Sequence, residues 1–293
     1  LLPAPLLLAD LDGTLLDQSG VLDSQAFDAL VGVVHERGGQ VVIATARPPH
    51  DVARLLGQTR ENFLAICSDG ALVVECRDGA IVSVTDERFL SRSVAVDAVS
   101  SLQEAVTDSP VLAFGGSADG FVIRISARSE GDARRIKAIM ELLGDERPVE
   151  VHATAASAVN MCVRALALLG SEEALTLARN HLGASAPGRQ VLYYRETRLR
   201  VRDLWWLDVI ADGVSKGAAA RRVCDSWTRG PIVAVGNAAN DVSLFRAAHL
   251  SLCPSDADDI ARGAVNQVLD APGGPQFITA ICNELSRLGG DPE

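Results

Sequence analysis

Basic residues are in short supply: 27 Lys and Arg stand against 38 Asp and Glu, a formal net charge of -11. A nucleic-acid binder needs a basic footprint to neutralise phosphates, so that function is not expected. The same shortage constrains any anionic ligand, which would need a local positive focus from a divalent cation and a few placed Lys or Arg. Paired cysteines are missing too. Cys67, Cys76, Cys162, Cys224, Cys253 and Cys282 lie far apart, form no C-x-x-C and sit mostly inside apolar runs. They read as reduced core residues of a cytoplasmic protein. No apolar run approaches membrane length. The N-terminal "LLPAPLLLA" holds two prolines, lacks a basic flank and leads straight into acids, so neither a signal peptide nor a membrane span is expected. Internal repeats, low-complexity tracts and long linkers are absent from the 293 residues, a length that suits one large or two ordinary domains.

What the chain does contain is alternation of buried strands and helices. Leu6 to Ala9 is an apolar run that reads as a parallel strand ending at Asp10 and Asp12. A helix is expected over 23–39, with an Asp or Ser start and a Gly-Gly stop, and a second strand over "QVVIATARP", ending near Thr45. Pro49 opens a short helix, "FLAICS" is a third strand, and "ALVVECRDGAIVSVT" reads as two short strands about an Asp-Gly turn. From about Glu87 the texture changes. Helical segments such as "SVAVDAVSSLQEAV", "DARRIKAIMELLG" and "SEEALTLARNHLG" mix with strands such as "FVIRIS", "VEVHA", "VNMCVRA" and "LWWLDVIA", as in an α+β domain with an antiparallel sheet. After Asp212-Gly213 the first texture returns through "SKGAAARRVCDSW", "PIVAVG", "NDVSLFRAA", "LSLCP", "DADDIARGA" and "FITAICNELSRL". The expected organisation is an α/β core with a doubly wound parallel sheet over 1–86 and 212–293, interrupted by an α+β insertion over 87–211.

The acids of "DLDGT" carry the first chemical signal. An EF-hand loop counted from Asp10 would need Gly at its sixth position and Glu at its twelfth, where this chain has Leu15 and Val21. A capping turn is the plain alternative. Carboxylates at the end of a central strand are costly, however, unless ligated or paired. Thr45 at the end of the second strand reads on its own as a helix cap, and Lys216 as a solvated lysine. Gly236-Asn237 and Asn240-Asp241 read as turn residues.

Taken together, D-x-D-G-T after an N-terminal strand, "IATARP", "GVSKGAAARRV" and "VAVGNAANDVSLF" resemble, in order, the four motifs of the haloacid dehalogenase superfamily of phosphotransferases. The resemblance covers essentially the whole chain. "CSDGA" and "LDVIADGVSKG" resemble the S-N-G-A and E-I-x-P-x-G-V-x-K-G stretches of its Cof-type branch, whose members carry a cap of type IIB. It implies a Rossmann-like core and a cap that governs specificity. Asp10 would be the nucleophile that forms an aspartyl phosphate and Asp12 the general acid/base. Thr45 and Lys216 would hold the transferring group, with Ala46, Arg47 and Asn240 on the substrate side. Arg47 matches the Arg of the T-G-R form, with Ala46 in place of Gly. The implied cofactor is Mg2+, held by Asp10, the backbone carbonyl of Asp12, Asn237 and Asp241. The usual fourth motif is G-D-x-x-N-D, so Asn237 stands where a charged ligand is expected and brings no charge to the cation. Asp241 could ligate directly, act through water, or serve Lys216.

The implied activity is Mg2+-dependent hydrolysis of a small phosphorylated metabolite, with sugar phosphates first. A non-catalytic phosphometabolite binder and a phosphosugar mutase of the phosphomannomutase kind are the alternatives. A monomer or homodimer without nucleic-acid or membrane partners is expected. Trp205-Trp206 reads as cap core or interface, and Arg124, Arg164, Arg195, Arg198 and Arg200 of the insertion read as solvated.

Overall fold

The computed structural model describes residues 4–57, 59, 62–106, 109–115, 122–126, 130–142, 148–160, 162–183, 185–186, 188–195, 204–225, 227 and 230–287. The run before the paired aspartates is β1 (Leu6–Ala9), buried at every position. The helix that follows is α1 (Ser24–His35), capped by Asp23, which accepts the Ala26 N–H. Next come β2 (Gln40–Ala44), α2 (Pro49–Leu56) with proline at its first turn, β3 (Phe63–Cys67), β4 (Leu72–Arg77) and β5 (Ala80–Glu87). Asp78 and Gly79 join the last two at φ 49° and 75°, the left-handed pair that a tight hairpin demands.

The middle of the chain gives α3 (Arg92–Ala105), β6 (Val111–Gly115), β7 (Val122–Ser126), α4 (Glu130–Leu142), β8 (Val149–His152), α5 (Ala155–Ala158) and β9 (Val163–Gly170). It continues with α6 (Glu172–Leu182), β10 (Ser185–Ala186), β11 (Arg189–Arg195) and β12 (Trp205–Ala211). The C-terminal part adds α7 (Lys216–Cys224), β13 (Ile232–Val235), α8 (Val242–Phe245), β14 (Leu250–Cys253), α9 (Asp259–Ala264), β15 (Gln267–Val268) and α10 (Pro275–Arg287). Two compact units result, Leu1–Glu87 with Val214–Glu293, and Arg88–Gly213. Their joins at 87/88 and 213/214 compare with the expected 86/87 and 211/212.

In the first unit the strand order is β15-β14-β13-β1-β2-β3-β4-β5. The strands from β15 to β3 run parallel, and β4 and β5 continue the sheet antiparallel. This is an α/β fold with a parallel-sheet core. Leu6, Leu8, Val42, Ala44, Ile66 and Ala234 form one hydrophobic cluster with Ala219, Ala220, Leu244 and Phe245 from α7 and α8.

The second unit is a sheet of order β10-β11-β12-β9-β6-β7-β8, antiparallel except for the parallel pair β7/β8. A fully antiparallel sheet was the expectation, and β8 departs from it because α4 carries the chain back before β8 begins. The strand expected over 159–165 is also displaced: β9 starts at Val163 and runs on through Gly170. Leu166 and Leu168 pack in one cluster with α3 and α6 residues, while Ala167 and Leu169 pack in another with α4 residues. A strand covered on both faces shows no alternation to mark it. Trp206 is buried in the second of these clusters, stacked on Phe114 at 6.4 Å, and Trp205 packs against the first. Arg124 pairs with Glu150 at 2.8 Å and Arg164 is buried, so neither is simply solvated. The side chain of Arg195, together with Arg198 and Arg200, lies outside the described residues.

Candidate active site

After β1 the chain crosses to β2 on one side, whereas after β13 it leads to β14 on the other. Diverging connections between two adjacent parallel strands leave a crevice at their carboxyl ends, the usual ligand position in open α/β sheets. Asp10 follows β1 and Asn237 follows β13. Asp10 is still extended (φ -72°, ψ 159°), and its N–H donates to Val235 O at 3.0 Å, which ties it to the neighbouring strand end. The chain then coils through Leu11–Leu15, a wide turn closed by the Leu16 N–H on Leu11 O at 2.8 Å. Gly13 makes the turn at φ 73°, and a side chain there would run into the amide of Asn237.

Lys216 is the first residue of α7, whose N-terminus is capped by the Ser215 hydroxyl accepting the Ala218 N–H at 3.1 Å. An ammonium is unfavourable at that end of a helix, and two carboxylates offset it. Lys216 Nζ lies 2.6 Å from Asp10 Oδ1 and 2.7 Å from Asp241 Oδ1, with all three side chains buried. The other oxygen of Asp241 accepts the N–H groups of Asn237 and Ala238 at 2.9 and 3.0 Å. Both Asp241 oxygens are therefore engaged within the protein, and the role to which this geometry leads is holding Lys216 and shaping the loop. Gly236 is required next to it, because a Cβ there would meet the Asp241 carboxyl at 2.5 to 2.7 Å.

Burial, reinforced by the charge of Asp241, pushes the Asp10 carboxyl up to about 7 against the pull of Lys216. Burial also works against the Lys216 charge, but Asp10, Asp241 and Asp69 outweigh it and raise the ammonium above its usual range. The lysine is thus a fixed cation, and further positive charge beside Asp10 would favour its ionised form.

Asp12 is turned differently. Its side chain is 40% exposed and held by a two-pronged pair with Arg47, at 2.8 Å from Nε and 2.6 Å from Nη2. The positive charge expected of Arg47 for a substrate is here directed at Asp12. Thr45 is buried, and its Oγ1 accepts the Arg47 N–H at 3.1 Å, leaving the hydroxyl proton to donate elsewhere. Ala46 is exposed between them. Asn240 donates from Nδ2 to Asp69 Oδ1 at 3.0 Å.

Two residues escaped the sequence reading. Thr14 is fully buried, with its hydroxyl 3.0 Å from Asp10 Oδ2 and 3.3 Å from Asn237 Oδ1. Asp69 lies in the turn after β3. The signal for Thr14 was the last letter of D-x-D-G-T, and for Asp69 the acid in "CSDGA".

Among the described residues no three His, Cys, Asp or Glu side chains gather as a metal cluster. The donors that do converge are Asp10 Oδ2 and the Asn237 amide oxygen, both near the Thr14 hydroxyl. Oxygen donors of this kind fit a hard cation such as Mg2+. The charges fit as well: Asp10, Asp12, Asp69 and Asp241 against Lys216 and Arg47 leave a formal excess of two negative charges.

A parallel α/β sheet with an acid–lysine–acid cluster at its switch point is the class of protein the fold and site define. The family model of haloacid dehalogenase-like hydrolases matches residues 7–271, and the chain belongs to that family. A phosphoglycolate phosphatase of Halobacterium salinarum is 42% identical over 72 residues, a stretch that spans 24% of this chain and 32% of that relative. The matched stretch is therefore about a third of the curated relative's length. Among solved structures, TM0651 from Thermotoga maritima has a TM-score of 0.73 at 18% identity, covering 99% of each chain. The subclass IIB sugar phosphatase BT4131 has a TM-score of 0.69 at 18% identity, covering 97% of this chain and 99% of the other. At such identities the likeness is one of fold. No helix among the described residues is long and apolar enough to cross a membrane.

Proposed function

We propose that the protein is a Mg2+-dependent phosphomonoesterase that hydrolyses a small phosphorylated metabolite through an aspartyl phosphate on Asp10. The observation that carries this reading is the buried ammonium of Lys216 held between Asp10 and Asp241 at 2.6 and 2.7 Å, with Asp12 two residues beyond the nucleophile. Two of the three Lys216 donors serve these carboxylates, and the third is directed to a phosphoryl oxygen, which Thr45 also meets with its hydroxyl proton. Asp10 attacks phosphorus and the bond to the leaving oxygen breaks; Asp12, which takes up a proton from solvent when Arg47 releases it, delivers that proton to the leaving oxygen. Asp12 then takes a proton from the water that attacks the phosphoenzyme, and the Asp10–phosphorus bond breaks to release inorganic phosphate. Arg47 must let go of Asp12 for either transfer, so this pair opens during turnover. The residues that would hold Mg2+ are Asp10, Asn237 and the backbone of Asp12, and the cation supplies positive charge to the phosphoryl oxygens. Asp241 contributes through Lys216 and the loop rather than as a ligand.

Sugar phosphates are the first substrates to consider, given the name borne by BT4131, and phosphoglycolate the second, given the Halobacterium relative. The deciding experiment is turnover of para-nitrophenyl phosphate with Mg2+ by the wild type and by Asp10→Asn. Loss of turnover in the variant is expected. Hydrolysis that survives the substitution would overturn the assignment of Asp10 as nucleophile, and a panel of phosphorylated metabolites then ranks the substrates.

A further inference from the structure

Asp69 is an acid with no part in the mechanism above, yet it lies among the residues that carry it. The turn Ser68–Gly70 begins where β3 ends, and it is strapped to the loop after β2. Ser68 N–H donates to Arg47 O at 3.0 Å, and Asp69 N–H donates to Thr45 O at 3.2 Å. Two consecutive residues that are not glycine, Ser68 and Asp69, stand at φ 50° and 53°, a conformation that surrounding structure must impose. On its other side the turn abuts the start of α7, where a Cβ on Gly70 would collide with the Ser215 carbonyl. Asp69 is 8% exposed, and its side chain accepts from Asn240 Nδ2 at 3.0 Å across 171 residues of sequence. Its charge also acts on Lys216.

We propose that Asp69 is a positioning residue of the phosphate site, acting through Asn240: as an acceptor-only partner it fixes which end of the Asn240 amide faces the site. The proposal rests on the functional reading given above. A carboxylate offers no donor, so the amide nitrogen of Asn240 must turn toward it. The second N–H of that same nitrogen is then fixed in direction as well, and its assigned acceptor is a phosphoryl oxygen, in keeping with the substrate-side place that the family resemblance gives Asn240. An asparagine at position 69, as in the S-N-G-A stretch that "CSDGA" resembles, could present either its oxygen or its nitrogen and would leave the amide free to flip. A purely structural bond would be served by that neutral residue. An acid here instead costs desolvation: burial pushes the Asp69 carboxyl up, and Lys216 and the Asn240 bond draw it back. This chain carries Asp69 and Asn237 where the resembled motifs carry Asn and Asp, so a charge absent beside the cation is present beside Lys216.

The test uses the full chain with Mg2+, para-nitrophenyl phosphate as substrate and inorganic phosphate as the probe of the site. Asp69→Asn is expected to raise KM and the inhibition constant for inorganic phosphate about tenfold, the scale of one oriented hydrogen bond to a charged group, with a smaller change in kcat. Asn240→Ala should give the same loss, and the double variant should be no worse than Asn240→Ala alone. Additive losses, or an Asp69→Asn inhibition constant within about twofold of wild type, would overturn the proposal. If Asp69→Asn does not fold, the exchange Asp69→Asn with Asn240→Asp keeps one donor and one acceptor. It is expected to fold and to lose phosphate affinity, and retained affinity overturns the proposal. A wild type that neither hydrolyses the ester nor binds phosphate overturns the functional reading along with it. An active wild type silenced by Asp10→Asn, beside a neutral Asp69→Asn, sinks only the role of Asp69.

Discussion

A neutral amide at position 237 leaves Asp10 as the charged oxygen donor beside the Asn237 amide oxygen, the two meeting at the Thr14 hydroxyl, whereas Asp241 accepts from Lys216 and from the N–H groups of Asn237 and Ala238. Asn237→Asp is nearly isosteric, and the Thr14 hydroxyl, 3.3 Å from Oδ1, can donate to either residue. The substitution therefore tests charge with little change of shape. Mg2+ should half-saturate at a concentration about tenfold lower, since one added unit charge at ligand distance is worth at least that factor even at high effective dielectric. Titrating Mg2+ against phosphatase activity and against the thermal midpoint measures it, and an unchanged or weaker titration removes Asn237 from the ligand set. At this scale the sequence showed most where a polar residue ends an apolar run, as Asp10 and Thr45 do, or opens a helix, as Lys216 does. Thr14 and Asp69 stand within D-x-D-G-T and "CSDGA", but their roles were not readable there, because Thr14 links Asp10 to Asn237 across 223 residues and the Asp69 partner lies 171 residues away. The family resemblance puts Arg47 on the substrate side, and nothing in the spacing of 35 residues reveals its two-pronged pairing with Asp12.

Loops at the strand ends are shaped by glycines that have no room for a side chain, and this makes the geometry of whole elements testable by adding one carbon. In Gly236→Ala the new Cβ would meet the Asp241 carboxyl at 2.5 to 2.7 Å, so the acid must move off Lys216 and off the N–H groups of Asn237 and Ala238. Breaking into a buried ion pair in this way is expected to cost about 3 kcal/mol of stability. Activity should fall about 100-fold or more, the scale of lost preorganised charge at a reacting group. Urea unfolding and ester hydrolysis read the two effects. Gly263→Ala in α9, where a Cβ meets nothing within 4 Å, is the matched control and should be neutral or slightly stabilising. Most elements of the first unit were legible because their strands are short apolar runs bounded by turn residues; the two-residue β15 was not, having no apolar run to mark it. In the second unit β9 was displaced and β8 joined a parallel pair, since a run such as "ALALLG" carries no period and pairing direction is decided by the chain's return path.

At the scale of the whole molecule, a chain of formal charge -11 places its most buried acids together around a single lysine, so its stability should depend on pH and cation jointly. The Asp10 carboxyl is raised from 3.8 to about 7, chiefly by burial. A raised folded-state value means that the folded protein holds the proton more tightly than the unfolded chain. This contribution to stability is fully present below about pH 4 and is lost as pH rises through about 7. Metal-free protein should therefore lose stability over that window relative to Asp10→Asn, in which position 10 does not titrate; general repulsion among surface acids affects both proteins alike and drops out of the comparison. Mg2+ acts on the opposite form. It binds the carboxylate and displaces the proton, so the rise in thermal midpoint on adding Mg2+ should be small at pH 5, grow through pH 7 and level off by about pH 8. Calorimetry with saturating Mg2+ and with EDTA across this range measures both trends. A Mg2+ increment independent of pH, or an equal increment in Asp10→Asn, would place the cation away from Asp10 and detach the metal from the acid–lysine–acid cluster.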